Sequence, residues 1–265
     1  MAITIFSDGG GEKSSAAACA CILEKGKGER LHVVGFLGPA TNNEAEITGG
    51  LLGFMLVHAL GLGEDKPKLR WVCDSEYSLK SATEYIHNWQ RNGWKTASKQ
   101  PVKNQGLWKA YLSLSNGVSV KPEHVAGHAG HVENEACDAA CTWMQGSGSM
   151  LFADAESIKS ISPDEGLGAG WVGVDLRLFL SAMRNEFDQT ILDEHVAFFK
   201  DHQKKFLELS DTPIPQSKKN DVNVFDAFGV AIKKIHAKAR AHAVSDERIG
   251  ALERDLKALL AKHKF

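Results

Sequence analysis

Four carboxylates from distant parts of the chain have the positions expected of a metal site. Asp8 and Asp74 end the first and fourth predicted strands, Glu46 lies in the first turn of a predicted helix, and Asp138 lies near the start of a later helix. Carboxylate oxygens are the hard ligands that Mg²⁺ and Mn²⁺ prefer. Because four converging acids repel one another, the pattern predicts a divalent-metal site.

Each of these acids also has a local structural explanation. The spacing Asn43-x-x-Glu46 is a variant of the helix capping box, Asp8 and Asp74 are types that form turns after strands, and Asp138 fits a solvated helix position. These roles explain the acids one at a time. These separate roles do not explain why all four acids occur within the motifs that surround them.

The elements that must position the acids are predicted to form a mixed α/β unit with a five-stranded sheet flanked by helices. A strand, crossover helix and strand in this order normally make a right-handed parallel pair. If the first and fourth strands are parallel neighbours, Asp8 and Asp74 lie side by side at the carboxyl edge of the sheet. Alternation and turn residues predict strands at 2–7, 16–23, 31–37, 68–73 and 117–125, and apolar spacing predicts helices at 43–60, in pieces over 75–115, and at 133–144.

The composition changes at the GSGS sequence of 146–149, where we place a domain boundary between residues 1–146 and a helical C-terminal region, 147–265. A linker at 147–161 is expected to precede a helical bundle, and 212–220 reads as a second linker. Three apolar stripes predict the helices: Leu176, Leu180, Met183, Phe187 and Ile191; Phe225, Phe228, Ile232, Ile235 and Ala239; and Ile249, Leu252, Leu256 and Leu259. Packing of its own core, self-association and added nucleic-acid affinity stay open as roles of this region.

Composition bounds the function class. The 265 residues are 43% hydrophobic and 24% charged with a net charge of -2, which excludes disorder throughout, fibrous repeats and a whole-chain polycation. With no long apolar run and no leader pattern, we expect a cytoplasmic protein without a membrane partner. Positive charge is instead local: 85–122 contains no acid and carries Arg91, Lys95, Lys99, Lys103, Lys109 and Lys121.

The five cysteines include one pair with a possible ligand spacing. Cys137 and Cys141 lie one helical turn apart, close in sequence to His124, His128 and His131, which raises zinc binding as an alternative. Reduced, buried thiols that act as small hydrophobic side chains are the favoured interpretation.

Five segments together resemble the successive signatures of ribonuclease H type 1, most closely the bacterial ribonuclease HI subgroup. The similarity covers residues 1–146 and rests on IFSDGG (5–10), TNNEAEI (41–47), CDSEYSLK (73–80), IHNWQRNGWKTASKQPVKNQGLW (86–108) and VAGHAGHVENEACDAA (125–140). The resemblance implies a ribonuclease H-like α/β fold. It also implies an endonuclease that hydrolyses the RNA strand of RNA/DNA hybrids, such as replication primers and R-loops, and leaves 5′-phosphate and 3′-hydroxyl ends.

The resemblance also assigns catalytic roles to individual residues. Two Mg²⁺ ions, with Mn²⁺ as a substitute, are implied to share Asp8, with Asp138 on the ion nearest the nucleophile and Glu46 with Asp74 on the other. His128 matches a histidine of a mobile loop that assists proton transfer or product departure, a task suited to a side chain that titrates near neutrality.

Substrate contacts are implied by the same resemblance. They are a DNA-strand phosphate pocket at Thr41, minor-groove contacts at Asn42 and Asn43, phosphate contacts at Lys95, Lys99 and Lys103, and DNA sugars near Trp89 or Trp94. Helix capping is the alternative for Asn43 and core packing is the alternative for the tryptophans. Because the 2′-hydroxyl distinguishes RNA from DNA and the other contacts go to the backbone, binding should be salt-sensitive and weakly sequence-dependent.

Two departures from the family pattern keep other functions open. The family's Gly-Asn-Pro-Gly loop is replaced after Asp8 by GGGEKSSAAAC, and the C-terminal region has no counterpart in the simple bacterial enzymes. A catalytically inactive hybrid-binding module with a helical interaction domain is the main alternative. A 3′ exonuclease of the same fold usually begins with Asp-x-Glu, which this chain lacks.

Overall fold

A computed structural model describes residues 2–11, 16–26, 29–63, 68–148, 158–161 and 171–204. Within these ranges the chain forms a sheet of seven strands in the order β5-β4-β1-β2-β3-β7-β6. The strands are β1 (Ala2–Gly10), β2 (Ala16–Lys25), β3 (Glu29–Pro39), β4 (Lys68–Cys73), β5 (Ser119–His124), β6 (Ile158–Ile161) and β7 (Trp171–Asp175).

The strand pairing confirms the predicted mixed α/β class. Strands β1, β2 and β3 form an antiparallel meander, and β4 lies parallel to both β1 and β5, so the ends of β1 and β4 share one edge of the sheet. The predicted number of five strands is wrong, because β7 adds to β3 in parallel and β6 pairs with β7. Strand β3 is buried from Leu31 to Gly38, as an interior strand is.

Helices cover both faces of the sheet. One face carries α1 (Asn42–Ala59), α4 (Gln105–Ser115), α6 (Arg177–Asn185) and α7 (Gln189–Asp201), and α5 (Val132–Trp143) packs on the other. A shorter helix, α2 (Glu76–Lys80), continues through a π-helical segment, Ser81–Tyr85, into α3 (Ile86–Arg91), and a second π-helical segment, Met144–Gly148, follows α5. No helix within the described ranges is long and apolar enough to span a membrane.

The chain after residue 146 contributes to the same sheet and core. Residues Met1–Ile214 form one compact unit, and Leu180, Met183, Leu192 and Phe199 are buried with the side chains that α1 presents. The expectation of helices alone in this region is therefore wrong at β6 and β7, while the division at 146 into separate domains stays a prediction.

The first apolar stripe of this region is not one helix. Helix α6 ends at Asn185, and the Asp188 side chain then accepts a hydrogen bond from the Thr190 amide at 2.8 Å and begins α7. The stripe is therefore divided between two helices. The two later stripes and the linker at 212–220 lie outside the described residues.

Helix α1 lies directly on the end of β1 because glycines remove the intervening side chains. A Cβ atom on Gly9 would lie 2.2 Å from the carbonyl carbon of Ala45, and one on Gly49 would lie 2.5 Å from the carbonyl oxygen of Asp8. Both distances are shorter than any tolerated contact. The approach brings the start of α1, with Glu46, to the carboxyl edge of the sheet.

Candidate active site

The residues predicted to be catalytic line one cavity of about 260 Å³ at this edge. The four acids arrive from different elements: Asp8 near the end of β1, Asp74 directly after β4, Glu46 near the start of α1, and Asp138 in α5. The complete lining is Asp8, Gly9, Gly10, Asn42, Glu46, Asp74, His128, Asn134, Glu135 and Asp138. The convergence predicted from the sequence is present.

A capping box at the start of α1 leaves Glu46 available to the cavity. Thr41 is the N-cap: its hydroxyl accepts from the Glu44 amide at 3.3 Å, while the Glu44 carboxylate accepts from the Thr41 amide at 2.8 Å. The alternative explanation of Glu46 as part of a capping box with Asn43 is therefore wrong, since the box begins two residues earlier, at Thr41. The glutamate that caps the helix and the glutamate that lines the cavity are different side chains.

Two neighbours hold Glu46 in place: Asn42, which the sequence analysis named as a substrate contact, and Ser75, which it did not name. The Ser75 hydroxyl and the Asn42 amide donate to its two carboxylate oxygens, the latter at 2.7 Å. Burial raises the pKa of Glu46, the Ser75 bond lowers it, and the charge of Asp74 raises it further. Ser75 directly follows Asp74 in the CDSEYS motif, which is the one signal that pointed to it.

The electrostatics of the cavity fit a divalent cation. Burial raises the pKa of Asp8 to about 7, with further upward contributions from the charges of Asp74, Asp138 and Glu46 that a bond from the Gly9 amide opposes. No lysine or arginine is among the described residues that line the cavity. Four oxygen-donor side chains with no lysine or arginine beside them in the lining are a donor set suited to Mg²⁺.

The acids are gathered but not arranged as finished ligands. In the described ranges, no three His, Cys, Asp or Glu side chains already form a metal-binding group. Two of the acids accept hydrogen bonds from the protein: Glu46 from Ser75 and Asn42, and Asp8 from the Gly9 amide at 2.7 Å. A carboxylate that accepts such bonds keeps lone pairs for a cation, so these bonds can orient the acids toward one.

His128 lies on an exposed loop at the rim of the cavity. Its backbone is left-handed, with φ of 53°, its side chain is 82% exposed, and Nδ1 lies 3.8 Å from Oδ2 of Asp138. The Gly130 amide donates to the Glu135 carboxylate at 2.7 Å, which ties this loop to the start of α5. The imidazole is thus close to a cavity acid while remaining open to solvent.

The predicted substrate contacts fall around a second cavity and a basic surface. The second cavity, of about 540 Å³, is lined by Thr41, Asn42, Asn43, Glu44, Lys103 and Asn104, so Asn42 lines both cavities. The structure therefore places Lys103 beside the start of α1.

The basic segment that precedes α4 is an ordered turn rather than a loose loop. Lys95 and Lys99 are exposed on it, and the Val102 amide donates to the Trp94 carbonyl at 3.0 Å across its base. Trp89 and Trp94 are partly buried against the core, while Trp108 is fully buried. The prediction that at least one of these tryptophans is core is confirmed.

The cysteines contribute to packing on the α5 side of the site. All five are free and buried, as favoured from the sequence. The thiols of Cys137 and Cys141 donate to the carbonyls of Phe6 and Asp8 in β1, and burial raises both of their pKa values. These contacts join α5, which carries Asp138, to the strand that carries Asp8.

Asn134 is a further cavity residue that the sequence analysis missed. Its side chain is 3% exposed, and its Oδ1 is buried without a hydrogen-bond partner among the described residues. It lies on α5 in the lining shared with Glu135 and Asp138. Only its place within the ENEACD sequence hinted at this position.

Comparison with known proteins assigns the chain to the same family that its sequence motifs resemble. Residues 1–144 match the family model described as RNase H. The chain belongs to the RNase H family. The resemblance to type 1 ribonuclease H is thereby confirmed, and it covers the segments that carry all four acids.

The RNase H relatives cover the N-terminal part of the chain. Ribonuclease H of Treponema pallidum is 42% identical over 104 residues, which are 39% of this chain and 59% of the relative. Ribonuclease H of Escherichia coli is 35% identical over 138 residues, which are 51% of this chain and 84% of the relative. A solved structure described as LC9-RNase H1, a type 1 RNase H with the type 2 active-site motif, is 24% identical with a TM-score of 0.45 and covers 55% of this chain and 72% of that one.

Proposed function

We propose that the chain is an endoribonuclease that hydrolyses the RNA strand of RNA/DNA hybrids with two divalent ions, leaving 5′-phosphate and 3′-hydroxyl ends. The observation that carries the proposal is the single cavity lined by Asp8, Glu46, Asp74 and Asp138. Membership of the RNase H family and relatives named Ribonuclease H support it.

The four acids would hold the ions, with Asp8 between them, Asp138 on one and Glu46 with Asp74 on the other. When bound, two Mg²⁺ ions would acidify the attacking water and stabilise the charge on the leaving 3′ oxygen, and Mn²⁺ could replace them. The chain's own residues position the acids: Gly9 lets α1 approach β1.

His128 would move a proton at the rim of the site. Its exposed imidazole lies next to Asp138 and faces solvent, so it can pass a proton between the cavity and water. Because its loop is tied down through Gly130 and Glu135 rather than through the imidazole, the ring itself can change position.

Strand choice would come from the start of α1 and the basic surface. Asn42 and Asn43 are exposed beside Glu46, where a 2′-hydroxyl can be read, and Thr41 with Lys103 lines the adjoining cavity for a DNA-strand phosphate. Lys95 and Lys99 add exposed charge for the backbone, with Trp89 and Trp94 near the sugars.

The test is cleavage of end-labelled RNA/DNA, RNA/RNA and DNA/DNA duplexes with Mg²⁺ or with EDTA. We expect the RNA strand of the hybrid alone to shorten, only with Mg²⁺, and its fragments to be degraded by a 5′-phosphate-dependent exonuclease. Asp74→Asn should lower the rate by more than about 100-fold, because loss of a residue that only hydrogen-bonds a metal ligand already lowers metal affinity or activity about 10- to 100-fold. The matched control is Asp193→Asn, an exposed acid on α7 that lines neither cavity and should cut like the wild type.

Two outcomes would contradict the proposal. Full activity of Asp74→Asn with Mg²⁺ would remove the metal assignment. A wild-type chain that binds the hybrid in both buffers without cutting it would instead support the inactive hybrid-binding module.

A further inference from the structure

Arg184 connects the chain beyond the family match to the start of α1. It lies on α6, forty positions past the end of the segment that matches the RNase H model at 144. Its Nε donates to Oε1 of Glu44 at 2.7 Å, and its Nη2 donates to Oε2 of Glu44 at 3.2 Å and to the Pro39 carbonyl at 3.0 Å. One guanidinium therefore contacts both the end of β3 and the first turn of α1.

These contacts fix the connection that carries the substrate-facing asparagines. Glu44 is 8% exposed and already accepts from the Thr41 amide and hydroxyl at 2.8 and 3.0 Å. Arg184 supplies the remaining donors to this carboxylate. Because Asn42 and Asn43 lie between Thr41 and Glu44, their positions depend on a capping box that Arg184 holds from outside.

The same contact changes the charge of the second cavity. Among its described lining residues, Glu44 and Lys103 are the charged ones, and their opposite charges would cancel. The guanidinium of Arg184, paired with the Glu44 carboxylate, leaves the charge of Lys103 uncompensated. A cavity with net positive charge at a helix N-terminus favours a phosphate, whereas an uncompensated carboxylate there would repel it.

The position of Arg184 is fixed by the packing of its helix, α6, against α4. The carbonyl oxygen of Met183 would lie 1.9 Å from a Cβ on Gly106 of α4, so the two backbones are in direct contact. Met183 itself is fully buried. The guanidinium is therefore placed by packing of α6 against α4.

We propose that Arg184 is a positioning residue for hybrid binding, which neutralises Glu44 and pins the first turn of α1 so that the adjoining cavity accepts a backbone phosphate. This inference rests on the proposed function. It makes the region after residue 146 part of the substrate-binding apparatus, although its residues do not touch the reacting atoms.

Fluorescence anisotropy of a labelled RNA/DNA hybrid tests the inference on the full chain. An Asp74→Asn background prevents cutting, so that affinity is measured apart from activity. We expect Arg184→Gln to weaken hybrid binding about ten-fold, the scale of a charge-assisted hydrogen bond. Adding Glu44→Gln should restore affinity to within about two-fold, because the double substitution removes the charge that needed neutralising.

The matched control is Arg177→Gln on the same helix. Arg177 also makes an ion pair, with Asp175 at 2.6 Å, but its partner lies at the end of β7 and not at the start of α1. We expect hybrid affinity to be unchanged by this substitution, and thermal melting of each variant shows whether it folds.

Three results would overturn the inference: Arg184→Gln binding like the wild type, equal losses with Arg177→Gln, or a double variant no better than Arg184→Gln. The proposed function is judged separately, by cutting with Asp74 present. If the wild type binds the hybrid without cutting it, the proposed function is refuted, but the effect of Arg184 on binding can still be measured. If the wild type neither binds nor cuts the hybrid, the proposed function and the role of Arg184 are both refuted.

Discussion

Asp8→Asn should stabilise the metal-free protein while destroying its activity. Burial and three neighbouring acids raise the pKa of Asp8 from 3.8 to about 7. At about 1.4 kcal/mol per pKa unit, keeping this carboxylate ionised costs up to about 4 kcal/mol of folding free energy. Asparagine has nearly the same shape without the charge, so it relieves this cost.

The sign of the effect with pH follows from proton linkage. The pKa of Asp8 is higher in the folded state, so between about pH 4 and 7 the folded chain binds more protons than the unfolded chain. The contribution of Asp8 to stability therefore falls as pH rises through this window and is lowest above pH 7. The stabilisation by Asp8→Asn should be about 1 kcal/mol at pH 4.5 and rise to about 4 kcal/mol at pH 8.

Urea unfolding in EDTA at the two pH values measures this difference. Asp193→Asn on α7 is the control, and we expect it to change stability by less than about 0.5 kcal/mol at either pH. Equal effects of Asp8→Asn at pH 4.5 and pH 8, or a destabilisation at pH 8, would show that the acids do not repel one another at Asp8. Adding Mg²⁺ should reverse the order, because the ion stabilises the wild type and not the variant.

Two further predictions concern buried polar side chains. Ser75→Ala removes the hydroxyl that donates to Glu46 and should lower the cleavage rate about ten-fold. Ser78→Ala removes a buried hydroxyl that has no hydrogen-bond partner in the described part of the chain, and it should not lower the rate. Equal rates for the two variants would exclude positioning by Ser75. Burial lowers the pKa of His32 to about 4, so the unfolded chain binds more protons between about pH 4 and 6.5 and stability should fall on acidification. Between pH 7 and pH 5, the free energy of unfolding measured in urea should fall by about 2 kcal/mol less for His32→Gln than for the wild type. Equal falls in the two proteins would refute the lowered pKa of His32.

The acids of the site were predictable because the physics that gathers them is local. Asp8 and Asp74 follow β1 and β4, which pair in parallel with their carboxyl ends together after the chain has passed through β2, β3 and α1. Predicting this pairing needed no knowledge of side-chain orientation. The close approach of α1 to β1 at Gly9 and Gly49 was not inferred from the sequence and is seen only in the structure.

The hydrogen bonds within the site could not be predicted in the same way. The spacing of Asn43 and Glu46 fits a capping box, and so does that of Thr41 and Glu44. Only the backbone, with its turn at Thr41, decides between them. The role of Ser75 likewise depends on where α2 begins relative to Glu46, which is a contact between elements that are distant in sequence.

The sequence analysis missed the two strands after residue 146 because they are short. It also did not predict that helix α7 of this region packs on α1. Strands β6 and β7 have four and five residues, too few for a clear period. A different signal was nevertheless present, since α1 is apolar on nearly every side and a helix of that kind must be buried all round. Residues of α6 and α7 supply that cover.

That cover links the stability of the fold to the geometry of the site. The helix that needs covering is the one that carries Glu46, and the cover brings Arg184 to the capping box of the same helix. A chain ending near residue 146 would expose apolar side chains of α1 that Leu192 and Phe199 now bury with the core. It would also leave Glu44 without its guanidinium partner. Loss of the C-terminal helices should therefore disturb the start of α1 more than any other part of the sheet edge.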